Sequence, residues 1–530
     1  MGNKMNKLII YDSTLRDGAQ AQGISYSVED KMKIVEKLDR LGVEYIEAGN
    51  PGSNPKDLEF FEHIKSFKFK TSKVIAFGST RRVNTKVEDD SNVQSLLRAG
   101  TQAIAIFGKS WDFHVTDVLK TSLDENLKMI YDTIKFFKNK NKEVVFDAEL
   151  FFEGYASNPE YAMNTLKAAC DAGADSLCLC DTTGGSLPNE IYDITEKAVK
   201  EFNVPIGIHC HNDGGMAVAN TIMAVKAGAV QVQGTINGLG ERCGNANLCT
   251  VIPSLQLKMG YSCIPEENMK LITTIARYIS EVSNVTFDDR APYVSKSAFA
   301  HKAGMHSDAV SKNPMTYEHV SPESVGNERI FLMSEVAGRS AVLSTINHVD
   351  RAITKDSPET KLILGKLKEM EFEGYQYEGA ESSFELLIRK VLGRYEPFFE
   401  LREFKVIVNE PAIVSLNSSA MIKIKVGEQE EITAAEGDGP VNALDKAVRK
   451  ALERFYPQIG DMKLTDYKVR VLDSGAATAA KVRVLIESTD GSEVWTTIGV
   501  STDIIDASWK ALVDSIEYKL IKVKEGKSPN

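Results

Sequence analysis

Two short stretches, far apart in the chain, carry side chains able to do chemistry together. The first is STLRDG, which sets Arg16 beside Asp17; the second is HCH, His209 to His211. On a strand, alternate residues face one side, so His209 and His211 point the same way. Two imidazoles can ligate one divalent ion, and Asp17 would complete a mixed N/O set. Alone, a His-x-His pair fits a buried, hydrogen-bonded pair just as well; a carboxylate at the same end of the fold favours metal. Arg16 is either a structural ion pair or, beside such an ion, a donor to a keto oxygen or oxyanion. Glu149 in FDAELFF, with Asp147 as its inward companion, suggests a polar pocket, and LCDTTGG and NGLGERCGNAN add Asp181, Thr182 and Asn245. Asp12 reads as a local cap, and Cys178, Cys180 and Cys210 as core. Further on, AFAHKAGMHSD and the residues after it offer His301, His306, Asp308 and Tyr317. There His306 with Asp308 makes an oriented general base, or else the segment is a polar surface loop.

The elements that must position these groups recur with a regular beat. Apolar runs begin near Lys7, Val43, Lys73, Ala103, Glu143, Asp175, Val204 and Val230, separated by amphipathic stretches such as Ser27–Leu41, Ser122–Phe137 and Pro159–Ala172. Parallel strands need helical crossovers, so the pattern predicts an α/β fold, a (β/α)8 barrel, with an open doubly wound sheet as the alternative. In a barrel the polar groups above fall at the C-terminal strand ends, where such folds place their sites. Arg16 and Asp17 are expected at the end of the first strand, with Gly18 helping both converge. The glycines of GLGERCGN are expected to let that loop approach the site. Asp147 with Phe77 and Phe107 is expected to wall the pocket.

After Tyr261 the beat stops and helical patterns continue to about Arg394. The remainder repeats one strand-strand-strand-helix unit, with Ala443, Lys446 and Ala447 matching Ala507, Lys510 and Ala511. Three domains are expected: a barrel at 1–262, a helical region at 263–400 that contributes to the chemistry, and a duplicated α+β module at 401–524. The module lacks a convergent reactive set, so ligand sensing or dimerisation suits it better than chemistry. Helix N-termini after GDGPVNAL (Gly437, Asp438, Gly439) and at Asp503 could hold a carboxylate.

Composition sets the class. The 530 residues are 43% hydrophobic and 26% charged, with a net charge of −11 and a pI near 5.5. That balance excludes a basic nucleic-acid scaffold, and no apolar run reaches membrane-span length. The start, MGNKMNKLII, lacks the long apolar core of a signal peptide. Seven cysteines without a CxxC pair read as reduced thiols in a cytoplasmic protein.

Together, STLRDG, HCHND, NGLGERCGNAN and HKAGMHSD resemble the Claisen-condensing metal enzymes of the DRE-TIM type, the 2-isopropylmalate, homocitrate and citramalate synthases. GNPGSNPKD, FGSTRR, FGKSWDFHV and FDAELFFEGY are most similar to the citramalate branch. The resemblance runs through the repeated tail, which is similar to the amino-acid-sensing domain of those enzymes. It implies a divalent ion (Mn, Mg, Co or Zn) on Asp17, His209 and His211, with Asn245 as a ligand or close neighbour. It implies that Arg16 polarises a 2-keto oxygen, that Thr182 and Glu149 hold the keto acid or a water, and that His306, Asp308 and Tyr317 form the base. It further implies acetyl-CoA and pyruvate as substrates, a homodimer, and feedback by isoleucine. The family motif usually continues as DTTLRDG-E; here Ser13 keeps the hydroxyl, whereas Ala19 removes a carboxylate near the pocket. Other keto acids, a lyase lacking such a tail, and a non-catalytic metabolite sensor are the alternatives.

Overall fold

A computed structural model describes residues 6–301, 304–331, 343, 345–347, 349–350, 352–354, 356–377, 379–408, 418–472, 480–491 and 493–526; of 304, 305, 307 and 308 it describes only the backbone. The chain divides into two compact units. One runs to Phe299 and includes His319–Arg329; the other takes Ala300–Glu318 and the residues from Ile330 onward.

In the first unit eight parallel strands close into a barrel: β1 (Ile9–Asp12), β2 (Tyr45–Glu47), β3 (Lys73–Ser79), β4 (Ala103–Lys109), β5 (Glu143–Glu149), β6 (Ser176–Asp181), β7 (Ile206–Cys210) and β8 (Gln231–Gly234). β1 pairs with both β2 and β8, and this closure rules out the open sheet. The crossovers are α1 (Val28–Leu41), α2 (Pro55–Ile64), α3 (Ser91–Ala99), α4 (Leu123–Lys138), α5 (Phe151–Ser157), α6 (Pro159–Ala172), α7 (Pro188–Glu201) and α8 (Ala217–Lys226). Local chemistry sets their ends. Ser27 and Asp30 form a capping box on α1, which stops at Gly42 in the left-handed region. Asn158 caps α6 ahead of Pro159.

Period-two alternation sorts the strand residues. Tyr11, Tyr45, Ile75, Ala103, Ala105, Val145, Cys178 and Cys180 fill the barrel interior. Their neighbours, such as Ile10, Ile46, Ile104, Phe146 and Leu177, pack outward against the helices. Each large apolar side chain so buried contributes roughly 1.5–3 kcal/mol. Two more helices, α9 (Leu248–Pro253) and α10 (Ile272–Val282), follow β8.

The second unit begins with β9 (Ala300–His301), α11 (Gly304–Lys312) and β10 (Ile330–Phe331), where β9 and β10 pair in parallel. Next come α12 (Pro358–Phe372) and α13 (Glu381–Val391). The duplicated module is then β11 (Glu400–Val408), β12 (Ser418–Val426), β13 (Gln429–Gly437) and α14 (Pro440–Leu452), followed by β14 (Lys463–Val471), β15 (Val482–Thr489), β16 (Val494–Ser501) and α15 (Ile504–Lys524). Each copy is an antiparallel three-stranded sheet covered by its helix. Ala420, Ile422 and Ile424 of β12 meet Ala443, Leu444, Ala447 and Val448; Val484 and Ile486 of β15 meet Ala507, Ala511 and Leu512.

Candidate metal centre

Asp17, His209 and His211 converge. All three are buried, and one ligand atom from each lies within 4.8 Å of the others. Asp17 Oδ2 is 3.6 Å from His209 Nε2 and 3.9 Å from His211 Nε2. His209 sits on β7 and His211 just past its end, bridged to Asn245 in the loop after β8. Asn245 Nδ2 donates to Asp17 Oδ1 at 2.9 Å. Gly240 makes this approach feasible: a Cβ there would lie 2.2 Å from Asn245 Nδ2.

The donor set fits a divalent ion. It is two nitrogens and a carboxylate, and both His211 Nδ1 and Asn245 Oδ1 are buried without a hydrogen-bond partner among the described residues. Burial alone would raise Asp17, but the Arg16 guanidinium beside it holds it well below the usual carboxylate range. Burial, then the neighbouring His209, lowers His211 to about 4, and burial lowers His209 too. Both rings are therefore neutral at pH 7, the form a metal binds.

Arg16 and Asp17 lie beyond β1, contrary to the expected strand end. The chain turns after Asp12: Arg16 N–H and Gly18 N–H both donate to Ser13 O. This turn, with Asp17 in helical backbone, brings the two side chains together, and Gly18 is not among the positive-φ residues. Arg16 Nη1 donates to Asp17 Oδ2 at 2.9 Å, Nε donates to Glu47 Oε2 at 2.5 Å, and the guanidinium carbon lies 3.8 Å over the Phe77 ring. Nη2 has no protein partner among the hydrogen bonds of the described residues.

Sequence reasoning passed over Glu47. It is fully buried at the end of β2 and also accepts from Tyr11 Oη at 2.7 Å and from Ser13 Oγ. The available signal was a carboxylate in an otherwise apolar strand, directly before AGN. Asp12 accepts from Thr14 N and Oγ1, the local cap expected of it.

Around this core stand the remaining residues. Glu149 Oε2 pairs with Lys109 Nζ at 2.6 Å, a partner the sequence did not single out. Thr182 Oγ1 accepts from Leu150 N at 2.8 Å, and its carbonyl accepts from Arg242 Nη2. The rings of Phe77 and Phe107 stack with centroids 5.1 Å apart. Asp147 lies deeper, 4% exposed, and accepts from Gln233 Nε2. Burial, then Glu47, pushes it up to about 7. Burial also pushes the adjacent Cys178 thiol well above its ordinary range, so it stays protonated.

In the second unit, the His306 and Tyr317 rings approach to 4.1 Å between centroids, and His301 Nε2 is 3.1 Å from Glu318 Oε1. Asp308 lies on α11, but its side chain is outside the described residues. Gly437 ends β13, Asp438 N–H donates to Asn442 Oδ1, and Gly439 precedes α14 as an N-cap with no side chain to offer it. Asp503 differs from its repeat mate: its carboxylate caps its own helix, accepting from Ile505 N at 2.8 Å. A cavity of about 540 Å³ elsewhere in this unit is lined by Tyr375, Tyr377, Leu387, Lys390, Trp509 and Asp514 among others.

Three family descriptions match the chain in succession: HMGL-like over residues 7–279, homocitrate synthase post-HMGL domain-like over 293–374, and LeuA allosteric (dimerisation) domain over 378–520. The chain is 53% identical over 521 residues to the (R)-citramalate synthase of Aquifex aeolicus, covering 98% of this chain and 99% of that one. It is 51% identical to the (R)-citramalate synthase of Synechocystis, covering 98% and 97%. A probable 2-isopropylmalate synthase of Methanopyrus kandleri is 32% identical over 96% and 98%. With identity of this depth from end to end, the chain belongs to the (R)-citramalate synthase family.

Proposed function

We propose that the protein condenses acetyl-CoA with pyruvate and water to give (R)-citramalate, free CoA and a proton. What carries this reading is the full-length identity of 53% and 51% to (R)-citramalate synthases, against 32% to a probable 2-isopropylmalate synthase. A divalent ion on Asp17, His209 and His211 would supply Lewis-acid polarisation of the keto acid. Arg16 is held by Glu47, Asp17 and Phe77, which leaves Nη2–H to meet the alkoxide charge that grows on the keto oxygen. The stacked Phe77 and Phe107 narrow the mouth toward a keto acid with a small side chain. Glu149 and Thr182 hold the keto acid or the water. His306, with Tyr317 and Asp308, is the base that takes a methyl proton from acetyl-CoA. The resulting enolate adds to the keto carbon, and water then cleaves the thioester.

We assign regulation and dimerisation to the LeuA-like part, with isoleucine as the feedback ligand and the protein as a homodimer. The uncapped start of α14 can receive a carboxylate. The seven cysteines are free thiols, the state that a reducing cytoplasm maintains. Among the described residues no helix is long and apolar enough to cross a membrane.

The test is release of free thiol from acetyl-CoA against a panel of 2-keto acids, repeated with Mg²⁺, Mn²⁺, Co²⁺ and Zn²⁺. Pyruvate should be the preferred acceptor and citramalate the product. Preference for 2-ketoisovalerate or 2-ketoglutarate would replace this reading with a sister synthase. Isoleucine added to the same assay should inhibit, and its failure to do so would remove the feedback assignment.

A further inference from the structure

Gln233 stands between the candidate metal centre and a carboxylate on the opposite side of the barrel interior. It neighbours His209 in the β7–β8 register, and both side chains are buried. Its Oε1 lies 3.1 Å from His209 Nδ1, and its Nε2 donates to Asp147 Oδ1 at 2.9 Å. The chemistry of the partners fixes which way the amide faces. Nε2 donates to Asp147 Oδ1, an oxygen that accepts even when the carboxyl carries a proton on its other oxygen, and the carbonyl is left for the imidazole. His209 then carries its proton on Nδ1, and its bare Nε2 faces Asp17 Oδ2, 3.6 Å away.

We propose that Asp147 and Gln233 are positioning residues that set the tautomer and orientation of His209 for the metal, so that Asp147 serves the ion and not the keto acid. Histidine ligands commonly hand their second N–H directly to a carboxylate or carbonyl. Here an amide is interposed, which transmits the carboxylate's pull while keeping its charge one side chain further from the ion. This inference rests on the metal-dependent reading of the site, but not on which keto acid is used.

The test measures Mn²⁺ binding to the full-length protein by calorimetry and the visible spectrum of its Co²⁺ form, neither of which requires turnover. Gln233→Met keeps the bulk and removes both hydrogen bonds; it should weaken Mn²⁺ binding by about 10- to 100-fold and alter the Co²⁺ bands. Asp147→Asn keeps a hydrogen bond to Gln233 but loses the charge, and should weaken binding by about tenfold. Gln233→Glu alone would set two buried carboxylates against each other. Combined with Asp147→Asn it reverses the polarity of the pair: the Gln233→Glu carboxylate accepts from His209 Nδ1–H, and the Asp147→Asn amide donates to that carboxylate. The double variant should therefore bind Mn²⁺ more tightly than either single variant.

Mn²⁺ binding within about twofold of the parent in both Asp147→Asn and Gln233→Met would overturn the proposal. So would a double variant no better than the singles. If Gln233→Met fails to fold, Asp147→Asn and the double variant decide the matter. A raised KM for pyruvate with Mn²⁺ binding intact would return Asp147 to the substrate pocket. A parent protein that binds Mn²⁺ with this variant pattern but makes no citramalate would leave the positioning role standing and remove the proposed reaction.

Discussion

Arg16 donates Nε–H to Glu47 Oε2 at 2.5 Å, and Glu47 has no exposed surface. The guanidinium is therefore fixed from below by a carboxylate, on one edge by Asp17, and across its face by Phe77. Lysine has one point charge and no planar face, so it cannot keep these three contacts and also donate to substrate. Arg16→Lys should lower kcat by roughly 10²–10³, with KM for acetyl-CoA little changed. Steady-state thiol release measures both; turnover within about threefold of the parent would mean that Arg16 does not meet the developing charge.

Some of this arrangement is legible in the residue order alone. The eight strand starts follow from apolar runs and intervening amphipathic stretches, and HCH announces its shared face through period two. Glu47 is not legible, because its role exists only once β2 pairs beside β1, with Tyr11 opposite Tyr45. Gln233 is likewise silent: a glutamine within VQVQG reads as ordinary alternation, and its partner Asp147 is 86 residues away. The convergence of Arg16 and Asp17 comes from hydrogen bonds to Ser13 O, one of them donated by Gly18 N–H, a detail of turn geometry that residue types do not dictate. The repeat in the tail is legible by its constant offset. Yet matching positions need not match in chemistry: Asp503 caps its helix whereas Gly439 leaves its helix uncapped.

Phe107 offers a separate handle on specificity. It stacks on Phe77, while the Arg16 guanidinium lies over the Phe77 ring itself, so Phe107 can be trimmed without removing that face. Phe107→Ala should widen the mouth and shift the ratio of kcat/KM for 2-ketobutyrate over pyruvate upward by about 10- to 100-fold. The measurement is thiol release with the two acids in parallel. An unchanged ratio would place the wall of the acyl pocket elsewhere.

Lys31 tests what holds the loop after β2. Its Nζ reaches both Asp57 Oδ1 and the carbonyl of Ala48, and Asp57 in turn accepts from Asn50 N at 2.8 Å. Both ends of the ion pair are buried. Lys31→Met would leave the Asp57 charge buried without its counter-ion, a change that typically costs about 3–5 kcal/mol. A lowered urea midpoint of barrel unfolding, followed by circular dichroism, is the expected outcome. Restoring the balance with Asp57→Asn in the same chain should recover part of the loss.

Glu517 gives the C-terminal unit a pH dependence of definite sign. Its side chain is 1% exposed, and Oε1 accepts from Phe398 N at 3.0 Å. Burial pushes its carboxyl up to about 7 from an ordinary 4.5. The folded form therefore holds a proton between about pH 4.5 and 7 that the unfolded chain has released. The stabilising contribution of that proton is complete below the unfolded value and is lost as pH rises through the folded one. The loss is on the order of 3 kcal/mol, from about 1.4 kcal/mol for each pH unit of displacement. Glu517→Gln removes the titration: it should unfold at a higher urea concentration than the parent at pH 8, and the gap should close toward pH 5. Trp495 and Trp509 both lie in this unit, so tryptophan fluorescence can follow its unfolding. Parallel pH profiles for parent and variant would show that Glu517 ionises in the folded state as easily as in the unfolded chain, and that its burial carries no cost.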